Sequence, residues 1–172
     1  MLKSFKLILP VLAGLLFLTV SSFAQQKVGH VNSVELLASM PEKKLADTTL
    51  QKFKKSLDDQ LKTMQGELQT KYQSYLAKKD SLAEPVRALK EQELQDLNSR
   101  IQDFQQTAQD SYEKKLQELY QPISKKAKDA VISVGKEKGY SYILDASEGG
   151  LVIFAADADN LMPAVKARLG LK

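Results

Sequence analysis

From Leu50 to Val134 the chain carries apolar residues at helical spacing and little that would stop a helix. Leu50, Phe53, Leu57, Leu61, Met64, Leu68, Tyr72 and Tyr75 follow one another at intervals of three or four residues. A second series runs Leu94, Leu97, Ile101, Phe104, Ala108, Tyr112, Leu116, Leu119, Ile123, Ala127, Ala130, Val134. Each series is an apolar stripe on one helix face. The stripes are narrow, so each helix packs against one partner at most and leaves most of its surface wet. The first stripe repeats every 11 residues, which gives straight or slightly right-handed supercoiling rather than the left-handed rope of a heptad.

The two stripes are separated by Lys79-Asp80-Ser81-Leu82-Ala83-Glu84-Pro85. Pro85 would break a hydrogen bond and clash inside a helix but is tolerated in a first turn. Ser81-x-x-Glu84 fits a capping box. One continuous kinked helix is the alternative, but a reversal near 80–85 lets the two stripes bury each other and is favoured. Residues 42–138 then form an α-helical hairpin arm, a coiled coil of roughly 50–75 Å at about 1.5 Å per residue. Gly139 is a candidate left-handed cap for the second helix, and Pro122 predicts a local irregularity within it.

The flanks, 25–41 and 139–172, read differently. Lys27–Asn32 alternates as a strand, and Ser33 is placed to cap a short helix over Val34–Met40. Tyr140–Asp145 reads as a strand, Ser147-Glu148-Gly149-Gly150 as a turn, and Leu151–Ala155 as the returning strand. Asp157-Ala158-Asp159-Asn160 supplies caps for a last helix over Leu161–Leu169. The predicted fold is therefore mainly α with a small β part, a long antiparallel hairpin projecting from a small β-rich body. A body of about 50 residues rarely stabilises itself without staples or partners. Its strand edges are also unpaired. Association of several chains through this body is expected, with Val28, Val31, Ile143, Leu144, Val152, Ile153 and Phe154 as the contact residues.

Composition narrows the chemistry. No cysteine is present among 172 residues, and His30 is the single histidine. A disulfide framework, a Cys-ligated metal and a thiol nucleophile are excluded, and His30 alone completes no metal site. Asp157-x-Asp159-Asn160 lacks the glycine and distal glutamate of a calcium loop. No Gly-rich phosphate loop or nucleophile elbow appears. No enzyme and no cofactor are expected. Lys3 and Lys6 precede an apolar run from Leu7 to Val20, followed by Ser22-Phe23-Ala24. That pattern is an export signal cleaved after Ala24, because the run is short of the roughly 20 residues of a membrane-spanning helix. Removing the two lysines lowers the net charge from +4 to +2.

The order strand, short helix, long helical hairpin, β-hairpin, C-terminal helix, behind an export signal, resembles the Skp/OmpH family of periplasmic outer-membrane-protein chaperones. The match is carried by Lys27-Val28-Gly29-His30-Val31-Asn32-Ser33, running into Leu36-Leu37, and by Gly139-Tyr140-Ser141-Tyr142-Ile143-Leu144-Asp145-Ala146. The resemblance implies three subunits joined through a β-barrel body, with hairpins hanging around a cavity. It implies a periplasmic holdase that keeps unfolded outer-membrane β-barrel proteins from aggregating without ATP. Apolar residues near the hairpin tip are the expected client contacts: Met64, Tyr72, Tyr75, Leu76, Leu82, Val86 and Leu89. Adaptable Met, Tyr and Leu patches suit binding without one fixed partner.

Charge is segregated along the arm. Lys43–Lys55 carries net +4, Lys114–Lys138 net +4, and Glu91–Glu113 net −5. Basic arm bases make anionic lipid headgroups a candidate partner, although +2 is mild beside the strongly basic members of that family. A nucleic-acid partner is disfavoured by the export signal. A structural or tethering coiled-coil protein of the cell envelope, without clients, is the alternative function.

Overall fold

The computed structural model describes residues 26–150 and 152–171. The expected export signal, its cleavage point and Leu151 lie outside the described residues. In chain order the elements are β1 (Val28–Val31), α1 (Ser33–Ser39), α2 (Pro41–Lys78), α3 (Glu84–Glu137), β2 (Tyr142–Asp145) and α4 (Met162–Arg168), with short 3-10 turns at Lys79–Ser81 and Asp157–Asp159.

The two long helices form the hairpin that the stripes and Pro85 predict. At 38 and 54 residues they extend about 57 and 81 Å. Their antiparallel pairing is pinned by cross-helix partners at both ends: Glu42 with Lys126 and Asp47 with Tyr120 near the base, Tyr75 with Glu91 near the tip. The reversal is tighter than a capping box. Ser81 Oγ donates to the Lys78 carbonyl at 2.8 Å, so it closes the end of the first helix and does not cap the second. The extended residues Leu82 and Ala83 lead into α3, where Pro85 occupies the first turn. α3 continues through Pro122.

Gly139, at φ +70°, ends α3. The Tyr140 amide reaches back to the Gly135 carbonyl at 2.9 Å and the Gly139 amide to that of Lys136 at 3.2 Å, a Schellman closure. It turns the chain at once into β2. β1 and β2 pair in parallel, from Val28 opposite Tyr142 to Val31 opposite Asp145. Parallel neighbours need a long crossover, and here the crossover is the whole arm.

Two expectations at the head are corrected. The cap of α1 is Asn32, whose Oδ1 accepts the Glu35 amide at 2.9 Å. Ser33 instead gives its amide (3.1 Å) and its hydroxyl to the Asp145 carboxylate, tying α1 to the end of β2. The returning strand does not form over the described residues 152–155, so the sheet among the described residues has two strands. The chain is diverted to the other side of β1. There the His30 carbonyl accepts the Leu161 amide at 2.9 Å, Asn160 bridges to His30, and the His30 Nε2 holds the Ala156 carbonyl at 3.1 Å. Asn160 Oδ1 accepts the Met162 amide at 2.9 Å, as expected of a residue leading into the last helix.

The core sits at the junction of head and arm. Val31, Leu36, Met40, Leu161, Met162 and Val165 pack with Ala46 of α2 and with Ile123, Ala127, Ala130 and Val134 of α3. The small body thus borrows the last turns of the second arm helix to enclose its apolar side chains. Two glycines permit close packing there. A Cβ on Gly29 would stand 2.8 Å from the Tyr140 ring, and one on Gly135 would collide with Ile143 Cδ1.

Candidate functional site

The arm presents apolar surface in clefts rather than in a closed core. Tyr72 and Tyr75 share a cleft of about 590 Å³ with Leu68 and Leu94, rimmed by Gln65, Gln69, Gln95 and Asn98. Tyr72 is half exposed at 50%. Tyr75 is less so, and its hydroxyl donates to Glu91, which raises the tyrosine pKa. Tyr75 and Leu82 line a second cleft of about 310 Å³ closer to the tip. Leu76, Val86 and Leu89 stand on the outer surface of the tip, and Met64 is half-buried along the stripe. The seven expected client contacts therefore do not converge on one site. Six spread over two clefts and the outer surface of the tip, and Met64 lies apart from them along the stripe. The glutamine and asparagine rims carry no period of their own in a Gln-rich sequence, so residue type alone does not single them out.

The arm base is held by polar pairs. Lys43 Nζ lies 2.8 Å from Asp47, and Asp47 also accepts the Tyr120 hydroxyl. Both contacts keep the Asp47 carboxyl below its ordinary value, Lys43 having the larger influence. The carboxylate in turn pushes the Tyr120 pKa up to about 12. Lys126 likewise lowers the Glu42 carboxyl. In the head, the Ser33 hydroxyl holds Asp145 below the usual carboxylate range.

The head carries two features of its own. A cavity of about 650 Å³ opens between β2 and α3, with Leu36, Leu37, Val131, Ile132 and Ile143 among its apolar walls and Lys128 and Lys136 beside them. Of the seven residues expected to make interchain contacts, Val31, Ile143 and Leu144 line this cavity. Val31 itself is only 5% exposed and belongs to the chain's own core. Val28 lies at the start of β1 and is 41% exposed. Val152 is half-buried, whereas Ile153 and Phe154 stand in solvent at 101% and 86% exposure. Such large apolar side chains are not left free without consequence. Among the described residues no helix is long and apolar enough to cross a membrane.

Comparison with known proteins agrees with this geometry. No curated protein sequence matches the chain. Among solved structures, the crystal structure of a protein from Caulobacter crescentus CB15, described as an outer membrane chaperone (OmpH-like), superposes with a TM-score of 0.73 at 22% identity, covering 84% of this chain and 83% of that one. That likeness establishes a shared fold. The model of the family "Outer membrane protein (OmpH-like)" matches residues 27–169, from the first strand through the last helix. A match over nearly the whole of the head and arm settles the relationship, and the chain belongs to the OmpH-like family.

Proposed function

We propose that the protein is an ATP-independent holdase chaperone of the periplasm, which binds unfolded outer-membrane β-barrel proteins between helical arms and keeps them from aggregating. The observation that carries this reading is the arm itself. It is a two-helix projection whose apolar stripe stays largely half-exposed, with few buried side chains to fix its shape. Many weak, wet apolar contacts suit a partner without fixed structure, and few buried contacts let the arm bend to it. Release then needs no fuel.

Self-association through the head, as a trimer, is part of the proposal. It is supported by the exposed Ile153 and Phe154, by the apolar cavity beside β2, and by a sheet of only two strands. An apolar strand-forming segment without an intrachain partner and an open sheet edge are complementary surfaces. Anionic lipid headgroups remain a secondary partner, through the lysines at the arm base. Lys114 and Lys128 there have no carboxylate partner among the described residues, whereas Lys115, Lys125 and Lys126 do.

Native mass spectrometry of mature Gln25–Lys172, alone and after dilution of a urea-unfolded β-barrel protein into it, tests both parts. A three-chain species that gains one client mass is expected. A stable oligomer that ignores the client would move the assignment to an envelope scaffold. A monomer would overturn the assembly.

A further inference from the structure

The 11-residue period of the first stripe has a counterpart in three dimensions. Besides the clefts at Tyr72 and at Leu82, a third of about 330 Å³ opens nearer the head and matches the one at Tyr72. Its α2 wall is Leu57 and Leu61 where the first has Leu68 and Tyr72. Its rim is Lys54 and Asp58 where the first has Gln65 and Gln69. Each of these residues is displaced from its counterpart by 11 positions. On α3, Gln105 and Gln109 stand where the first cleft has Leu94 and Asn98, the same displacement in the opposite chain direction, as antiparallel helices require. Eleven residues make about three helical turns and rise about 16 Å. The arm therefore presents one cleft twice, on one face.

Charge says what fits there. Around the Tyr72 cleft the rim groups are amides, and the carboxylate of Glu91 already accepts the Tyr75 hydroxyl. In the other cleft Lys54 and Asp58 neutralise each other at 2.6 Å. A charged side chain entering either cleft would lose water without gaining a partner. An apolar or aromatic one meets leucine, phenylalanine and tyrosine, while the amides can donate to and accept from a peptide backbone.

We infer that the paired clefts take a single extended, uncharged stretch of unfolded polypeptide, with one apolar or aromatic side chain seated in each. An extended chain rises about 3.3 Å per residue, so about five residues bridge the two clefts. This deepens the holdase reading and rests on it. Each contact is weak, and linking two of them raises affinity through effective concentration without slowing release at either one.

The test uses fluorescently labelled synthetic peptides of Gly, Ser and Thr carrying one or two tyrosine anchors, titrated against the mature chain by anisotropy. Two anchors four to six residues apart should bind about tenfold more tightly than one. Anchors two residues apart should show no gain. The double variant Gln65→Glu/Gln69→Glu changes exposed positions only. It should keep its helicity and lose the gain while retaining the affinity for one anchor. Asp58→Lys should do the same at the other cleft. Equal affinity at every spacing, or an undiminished gain in both variants, overturns the paired clefts. If the wild type still suppresses barrel aggregation in that case, the chaperone reading stands alone. If it does not suppress aggregation, both fall.

Discussion

In the head, Leu36, Met40 and Val165 are at most 1% exposed, in a cluster to which β1 and all four helices contribute. Along the arm, beyond the base, burial is reached at Leu97 and Ile101 of α3, while every α2 stripe residue from Phe53 to Tyr75 is half-buried or exposed. Two kinds of stability are combined in one chain. The head is fixed by side chains enclosed on all sides. The arm is fixed by helix length, by i,i+4 ion pairs such as Lys54–Asp58 and Lys55–Asp59, and by latches at its two ends. Exposed pairs of that kind contribute little individually. Few enclosed side chains therefore resist a change of shape over the middle of the arm, and none of those in the head is involved.

The sharpest way to break this contrast is truncation. Met40→Ala or Leu36→Ala should cost about 2–5 kcal/mol, because each opens a cavity in a closed core. Leu61→Ala, in the half-open arm, should cost about 1 kcal/mol or less. Urea titration followed by far-ultraviolet circular dichroism measures both, and equal losses would mean that arm and head form one core. Gly29→Ala should cost about 1–3 kcal/mol, since its methyl meets the Tyr140 ring and, at 3.0 Å, Leu161. Gly66→Ala, with open space around it, should raise arm helicity instead, by up to about 1 kcal/mol. Amide hydrogen exchange should then grade the chain, slow at Val31 and Val134 and fast between Leu57 and Tyr72. Uniform protection along α2 would contradict the mobile arm.

The smallest effect is electrostatic and sits at the boundary between the two regions. The native Tyr120 pKa of about 12 exceeds its ordinary 10.0. Its contribution is thus complete below pH 10 and is lost as pH rises through 12. Asp47 and Glu42 are shifted the other way, from ordinary values of 3.8 and 4.5. Their contribution is present above those values and is lost as pH falls through the lower native ones. Melting curves of wild type and Tyr120→Phe should converge at alkaline pH and differ near neutrality. Parallel curves across that range would remove the latch.

Much of this architecture is legible in residue order. The spacing from Leu50 to Val134, Pro85 and Gly139 places both helices and both their ends within a few residues, because period and backbone restriction are local properties. What is not legible depends on neighbours that are distant in sequence. Leu151–Ala155 has the composition of a strand, but none forms over the described residues 152–155, and the chain that follows is held by His30, more than a hundred residues earlier, which takes up Ala156, Asn160 and Leu161 on the far side of β1. Ser33 has the right side chain for a cap and loses that role to Asn32 because Asp145 claims it. At the candidate site, Tyr72 and Tyr75 stand out as aromatics on a polar helix. Their companions Gln65, Gln69 and Asn98 become visible only when α3 is laid against α2.

The parallel pairing of β1 with β2 bears on how the chain reaches its shape. Val28 and Tyr142 are separated by more than a hundred residues, a contact order that would make closure slow for a flexible chain. The hairpin shortens that search: once α2 and α3 zip, their ends deliver the two strands to the same place. The zipping need not start at the tip, and its length is not critical provided both helices change together. Removing 11 residues from each helix at matched positions should leave the strands in register and speed their meeting, whereas removing 11 from one helix alone should strand them about 16 Å apart.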